Sequence, residues 1–214
     1  MTMEIKVLTL GIAATNCYIL GDNESGKAIL IDPVEDAPEL LKVIEESGWK
    51  LELILATHGH FDHILASKPL KEATGAPFYI NQRDMFLLET LPEQGLPFVG
   101  HEFPEAATPD RFLTDEPETI EVGPFRLDTL FTPGHSPGHI SFYMPSAGIV
   151  FSGDCLFQGS IGRTDLPGAD APTLLRSISE QLLTLDDDVK VLPGHMGITT
   201  IGQERQSNPF LNRQ

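Results

Sequence analysis

The segment ATHGHFDHILAS, residues 56–67, gathers His58, His60, Asp62 and His63 within six positions, and the chain has only seven histidines. Imidazole and carboxylate side chains are the ligands of divalent metal ions. On a strand, positions 58, 60 and 62 would share one face. On a turn at a strand end, neighbouring side chains converge as well, so the four groups can surround two adjacent metal positions. A lone buried histidine is ordinarily a satisfied core residue. Four polar groups directly after the apolar run LELILA would be costly to leave without partners, and metal binding explains their density. Three further residues occur in the same setting: His135 in LFTPGHSPGH, Asp154 in IVFSGD and His195 in VKVLPGH. Each follows Gly or Ser-Gly just past a strand-like run, where the backbone can turn sharply and aim the side chain across the end of a sheet.

Other polar residues have weaker claims. His139 lies four residues past His135 and reads either as an orienting group behind a ligand or as a structural residue. His101 sits among acidic residues in a proline-rich stretch and reads as exposed. Arg163 can pair with Asp165 through its planar fork, and that structural role is preferred to binding an anionic substrate group. Cys17 and Cys155 read as small buried hydrophobes. No GxxxxGK[ST] pattern is present, so no nucleotide site is indicated.

The elements that must position these groups follow from apolar runs and breakers. EIKVLTL, CYILG and KAILID read as strands. A helical pattern covers 38–46, and LELILA is a further strand. SKPLKEATGAPFYI reads as Ser67 capping a short helix that ends at Gly75, then a strand over 77–80. NQRDMFLLETL reads as a helix. Residues 92–118 carry five prolines and no clear period, which marks a lid or binding loop. Its Phe98, Phe103 and Phe112 either line an apolar pocket or fasten the loop to the core. The second half repeats the grammar with PFRLDTLFTPG, HISFYMP, a turn at 146–148, GIVFSGD, a Gly-rich loop, the amphipathic helix APTLLRSISEQLLTL and the strand VKVLP. Strands preceding helices in both halves predict an α/β fold, an αββα sandwich of two mixed sheets with helices on the outer faces.

The chain has 214 residues, enough for a large core, and no linker or repeat, so one domain over 1–214 is expected. Its 14 basic and 31 acidic residues give a net charge of -17, which repels phosphate backbones and anionic membrane surfaces. Neither nucleic acid nor a membrane is an expected partner. Two cysteines without CxxC spacing fit a reducing compartment, and no signal peptide or membrane span is apparent, so a cytoplasmic protein is expected. The oligomeric state is left open.

The pattern HxHxDH followed by His, Asp and His after successive strands resembles the metallo-β-lactamase superfamily over nearly the whole chain. The resemblance implies one metal at His58, His60 and His135, a second at Asp62, His63 and His195, and Asp154 bridging both. His60 stands where flavodiiron oxygen reductases have a glutamate. Asp62 with His63 differs from true β-lactamases, whose second site usually involves a cysteine. The pattern is most similar to the glyoxalase II-like hydrolases, and GSIGRTDLPGAD at 159–170 resembles a loop of their short subgroup. Glyoxalase II proper continues into a helical domain that binds glutathione, whereas nineteen residues follow His195 here, so weak selectivity for the glutathione part is expected.

The resemblance implies two divalent metal ions, zinc first with iron or manganese as alternatives. The expected substrate is a small-molecule thioester, S-2-hydroxyacylglutathione or a relative. A hydroxide nucleophile would be generated near neutral pH, with Asp62 and Asp154 steering it. Persulfide dioxygenases share the fold and a similar GRTD segment, and bind one iron at positions matching His58, His135 and Asp154, a set suited to non-haem iron. Phe61 favours the hydrolase, since such oxygenases tend to carry a small residue there.

Overall fold

The computed structural model describes residues 3–212. The chain divides into two compact units, one running to Leu113 and taking back Val122–Pro124, the other comprising Thr114–Glu121 and the chain from Phe125 onward. Each unit holds one of the two mixed sheets.

In the first unit the strands are β1 (Met3–Leu10), β2 (Thr15–Asp22), β3 (Lys27–Ile31), β4 (Lys50–Leu55), β5 (Phe78–Asn81) and β6 (Arg111–Leu113). They lie in chain order in one six-stranded sheet. β1, β2 and β3 pair antiparallel, while β3 to β6 pair parallel. Parallel neighbours need crossover connections, and helices supply them: α1 (Ala37–Glu46) joins β3 to β4, and α2 (Phe61–Ile64) with α3 (Ser67–Thr74) joins β4 to β5. The run to β6 holds α4 (Met85–Glu89), α5 (Leu91–Gln94) and α6 (Leu96–Val99). α1 starts at Asp36, whose side chain accepts from the Glu39 N–H, and buries Ala37, Leu40 and Ile44. Those residues join Ile19, Leu30, Ile54 and Phe78 in the core of this unit. Removing a buried leucine such as Leu40 costs about 2–5 kcal/mol.

Two expectations change here. Ser67 is the first residue of α3 rather than its cap, and the cap is Ala66; the Ser67 hydroxyl instead accepts from the Ala107 N–H at 3.0 Å. The proline-rich stretch is not a bare loop. Prolines at the first turns of α5 and α6 are compatible with helix there, and Arg111–Leu113 adds a strand.

The second unit contains β7 (Thr119–Val122), β8 (Phe125–Phe131), β9 (Ile140–Met144), β10 (Ile149–Gly153), the small hairpin β11 (Leu156–Phe157) and β12 (Ser160–Ile161), α7 (Ala171–Ser177), β13 (Lys190–Pro193), β14 (Thr199–Thr200) and α8 (Ile201–Ser207). Its six-stranded sheet has the order β14-β13-β10-β9-β8-β7. β10 and β13 are parallel, and β8, β9 and β10 are antiparallel. α7 is capped by Asp170 and passes at 178–182 into a π-helical turn. Leu174, Ile178 and Leu182 from this stretch bury against Val150, Val191 and Ile201.

Candidate metal-binding residues

In the first unit, the sequence turns directly from β4 into the histidine cluster. Thr57 follows the carboxyl end of β4 and Asp32 follows that of its parallel neighbour β3, so register brings the two together. The Asp32 carboxylate accepts from the Thr57 N–H at 2.7 Å and the Thr57 hydroxyl at 3.0 Å. It also accepts from Nδ1 of His63 at 2.9 Å. The Thr57 hydroxyl lies 3.0 Å from Nδ1 of His58. A Nδ1–H tautomer at both rings satisfies this network and leaves each Nε2 as a lone-pair donor.

His58, His60 and His63 are buried. The His58 ring centroid is 4.7 Å from that of His60 and 4.1 Å from that of His63. Ligand atoms of His58 lie within 4.8 Å of those of His60 and of His63, as do those of Asp62 and His63. The Thr15 hydroxyl donates to Oδ2 of Asp62 at 2.7 Å and fixes that carboxylate. Gly59, the spacer of HxH, donates its N–H to Asp84 at 2.9 Å. A Cβ at Gly59 would meet Leu87 Cβ at 3.0 Å and Asp84 Cβ at 3.1 Å, so a side chain there crowds the turn.

In the second unit, His135, Asp154 and His195 follow β8, β10 and β13. β10 and β13 are parallel neighbours, and the Gly194 N–H donates to the Gly153 carbonyl at 2.8 Å, aligning the two loops. The Oδ2 atom of Asp154 lies 3.4 Å from Nε2 of His135 and 3.4 Å from Nε2 of His195. Nδ1 of His135 donates to the Arg163 carbonyl at 2.8 Å. The His195 ring stands edge-on to Phe157, centroids 5.8 Å apart.

Gly162 is pressed against this cluster: a Cβ there would fall 1.9 Å from the Asp154 carbonyl oxygen and 3.2 Å from His135 Cγ. The glycine of GRTD is therefore a packing requirement. His139 is buried and takes the Asp154 N–H on its Nε2 at 3.0 Å, while its Nδ1 lies 2.8 Å from the Thr132 hydroxyl. It holds the Asp154 backbone in place.

All seven sequence-derived candidates thus fall into two clusters, four in one unit and three in the other. Imidazoles whose Nδ1 is held by a carboxylate, hydroxyl or carbonyl while Nε2 faces other donors are the arrangement of metal-ligating histidines. With two carboxylates among them, the donor set fits divalent ions. Asp32, Thr57 and Thr15 were not singled out from the sequence. The available signal was an aspartate directly after an apolar strand, in LID at 30–32. Arg163 is exposed and its guanidinium grips Asp165 through two hydrogen bonds of 2.7 Å. That bond holds the Asp165 carboxyl down at about 2. Cys155 is buried beside Asp154, and burial pushes its thiol above the ordinary range, with Asp154 adding to the effect. Cys17 is likewise buried and raised, with Asp32 adding to the effect. His101 is exposed.

The profile of the Metallo-beta-lactamase superfamily matches residues 10–195. The chain is 43% identical over 215 residues to hydroxyacylglutathione hydrolase GloC of Haemophilus influenzae, covering 98% of this chain and 99% of that one. The crystal structure of the BLEG-1 B3 metallo-beta-lactamase has a TM-score of 0.92 and 38% identity, covering 98% of this chain and all of that one (100%). The crystal structure of TTHA1623 in a di-iron-bound form has a TM-score of 0.86 and 40% identity, covering 96% of this chain and 100% of that one.

Proposed function

From the fact that the chain belongs to the metallo-beta-lactamase superfamily, as a metal-dependent hydrolase with that superfamily's fold, we propose that it hydrolyses small thioesters of the S-2-hydroxyacylglutathione type. In this reading the chain works as one domain, 1–214, in the cytoplasm, without nucleic acid or membrane as partners. His58, His60 and His135 would hold one divalent ion and Asp62, His63 and His195 the other, with the Asp154 carboxylate available to both. The observation that carries it is Oδ2 of Asp154 standing 3.4 Å from the Nε2 atoms of both His135 and His195, two histidines assigned to different ions. A carboxylate so placed suits a binuclear centre. The hydrolase name of the full-length relative supports the substrate class. A similar protein crystallised with two irons supports the stoichiometry and keeps iron beside zinc and manganese as the metal.

When bound, such a pair of ions lowers the pKa of a shared water and polarises the substrate carbonyl. The chain's own groups do the rest. Asp62, oriented by Thr15, and Asp154, held through its backbone by His139, present carboxylate oxygens that accept a proton and aim the attacking oxygen. A thioester suits this arrangement because its leaving thiolate, with a free pKa of about 8.5, needs little help from a general acid.

The test is metal content together with parallel assays on a thioester, a persulfide with oxygen uptake, and a β-lactam. His195→Ala is expected to lose one ion and to reduce thioester turnover on the order of a hundredfold or more. A mutant that keeps one iron and near-normal oxygen consumption on persulfide would replace this reading with a mono-iron dioxygenase. Turnover of the β-lactam alone would replace it with a lactamase.

A further inference from the structure

Phe61 lies between His60 and Asp62 in sequence and opens α2, directly after the candidate ligand His60. It stacks on Phe103, with centroids 5.1 Å apart and planes 23° apart, and meets Phe98 at 4.8 Å with planes 37° apart. Phe103 is only 8% exposed and belongs to the core of the first unit, against which Phe61 and Val99 also pack. Phe98 is 58% exposed and Leu96, two residues earlier on α6, is 53% exposed. Phe103 therefore fastens the proline-rich segment, and Phe98 is an exposed ring set against Phe61, the residue between His60 and Asp62.

The segment that carries them is braced. The Phe103 N–H donates to the Pro92 carbonyl at 3.0 Å, and the Gln94 side chain donates to the Leu87 carbonyl at 2.9 Å. A Cβ on Gly95 would fall 2.4 Å from the His101 carbonyl oxygen, so the backbone closes on itself there. Leaving large apolar side chains in water costs free energy, and an apolar patch next to a reactive site is characteristic of a ligand surface.

Resting on the thioester reading above, we propose that Phe61, Phe98 and Phe103 form an aromatic wall that selects thioesters bearing an apolar or aromatic substituent next to the scissile bond. The substituent can belong to the acyl or to the thiol side of the substrate, and the wall chemistry is the same for both. An added phenyl group buries apolar area and offers an offset-stacked partner to Phe98, for a gain in kcat/KM of roughly tenfold, within the range expected for apolar discrimination.

The experiment uses the full chain loaded with metal and two substrate series. One varies the acyl group, glycoloyl, lactoyl and mandeloyl, on one thiol, and the other varies the thiol from 2-mercaptoethanol to benzyl mercaptan under one acyl group. Non-hydrolysable thioether analogues of the end members are titrated calorimetrically. The expected result is a roughly tenfold preference for the phenyl-bearing member of one series, matched by tighter binding of its thioether. Phe98→Ala should collapse that ratio towards one, and Phe98→Leu should retain part of it. The exposed position of Phe98 keeps both changes out of the core, and unchanged thermal unfolding checks that the variants are folded. Equal kcat/KM across both series, or a ratio untouched by Phe98→Ala, would overturn the wall. Tighter binding of the phenyl thioether without turnover of any thioester would support the wall while overturning the reaction assigned to it.

Discussion

Asp32 is buried, lies in the left-handed region at φ 57° and receives three hydrogen bonds, two from Thr57 and one from His63. Aspartate and asparagine tolerate that backbone better than other side chains, so Asp32→Asn separates backbone strain from hydrogen bonding. The amide keeps one carbonyl oxygen but replaces the other acceptor with a donor, so it cannot accept from both the Thr57 N–H and Nδ1 of His63. Metal affinity, measured by competition with a chelator, is expected to fall 10–100-fold, on the order seen for groups that support metal ligands. An affinity equal to that of the unchanged protein would show that the Asp32 carboxylate does not orient His63. The seven candidate ligands were legible in the sequence because a cluster of imidazoles and carboxylates just past apolar runs is costly to bury unless it holds a metal. Asp32, Thr57 and Thr15 were not, because their role depends on strand register. Nothing local to Asp32 says that a histidine 31 positions later will donate to it.

At the scale of elements, the ligands ride on short turns that leave strands, and the turns depend on close backbone approach. Gly134, just before His135, has φ 131°. A Cβ there would fall 2.3 Å from the Leu174 backbone nitrogen in α7. Neither atom belongs to a flexible side-chain end, so Gly134→Ala must displace α7 or the His135 turn. A loss of about 2–4 kcal/mol in unfolding free energy is expected, with metal content falling alongside it; a urea melt with the parent's midpoint would refute the contact. The main strands and α1 were legible from apolar runs and breakers, since burial dictates those patterns. The helix expected over 171–185 instead changes to a π turn at 178–182, a change of winding that an apolar period does not encode. α5 and α6 were missed because four-residue helices are too short to display a period.

For the whole molecule, the formal charge of -17 sets how charged substrates arrive. A glutathione thioester carries a net negative charge, so the surface field opposes its approach. Raising ionic strength from 0.01 M to 0.15 M shortens the screening length from about 30 Å to about 8 Å. kcat/KM for such a substrate is therefore expected to rise with salt, while that of a neutral thioester stays level. A fall for the anionic substrate alone would point to a local cationic funnel that outweighs the global charge. Among the described residues no helix is long and apolar enough to cross a membrane. Net charge and the absence of an apolar span were plain from composition. The division into two compact units was not, because it follows from which strands pair, and the sequence offers no linker to mark it.

The parallel pairing of β10 with β13 also has a meaning in time. Asp154 and His195 stand side by side only after the chain has passed through α7 and returned, and Asp32 reaches His63 only once β3 and β4 are paired. Long-range pairings of this kind close slowly, because the loop entropy is lost before contacts compensate for it. The carboxylate that stands 3.4 Å from both His135 and His195 gains its His195 neighbour only when β10 and β13 pair, so this cluster is expected to be completed late in folding.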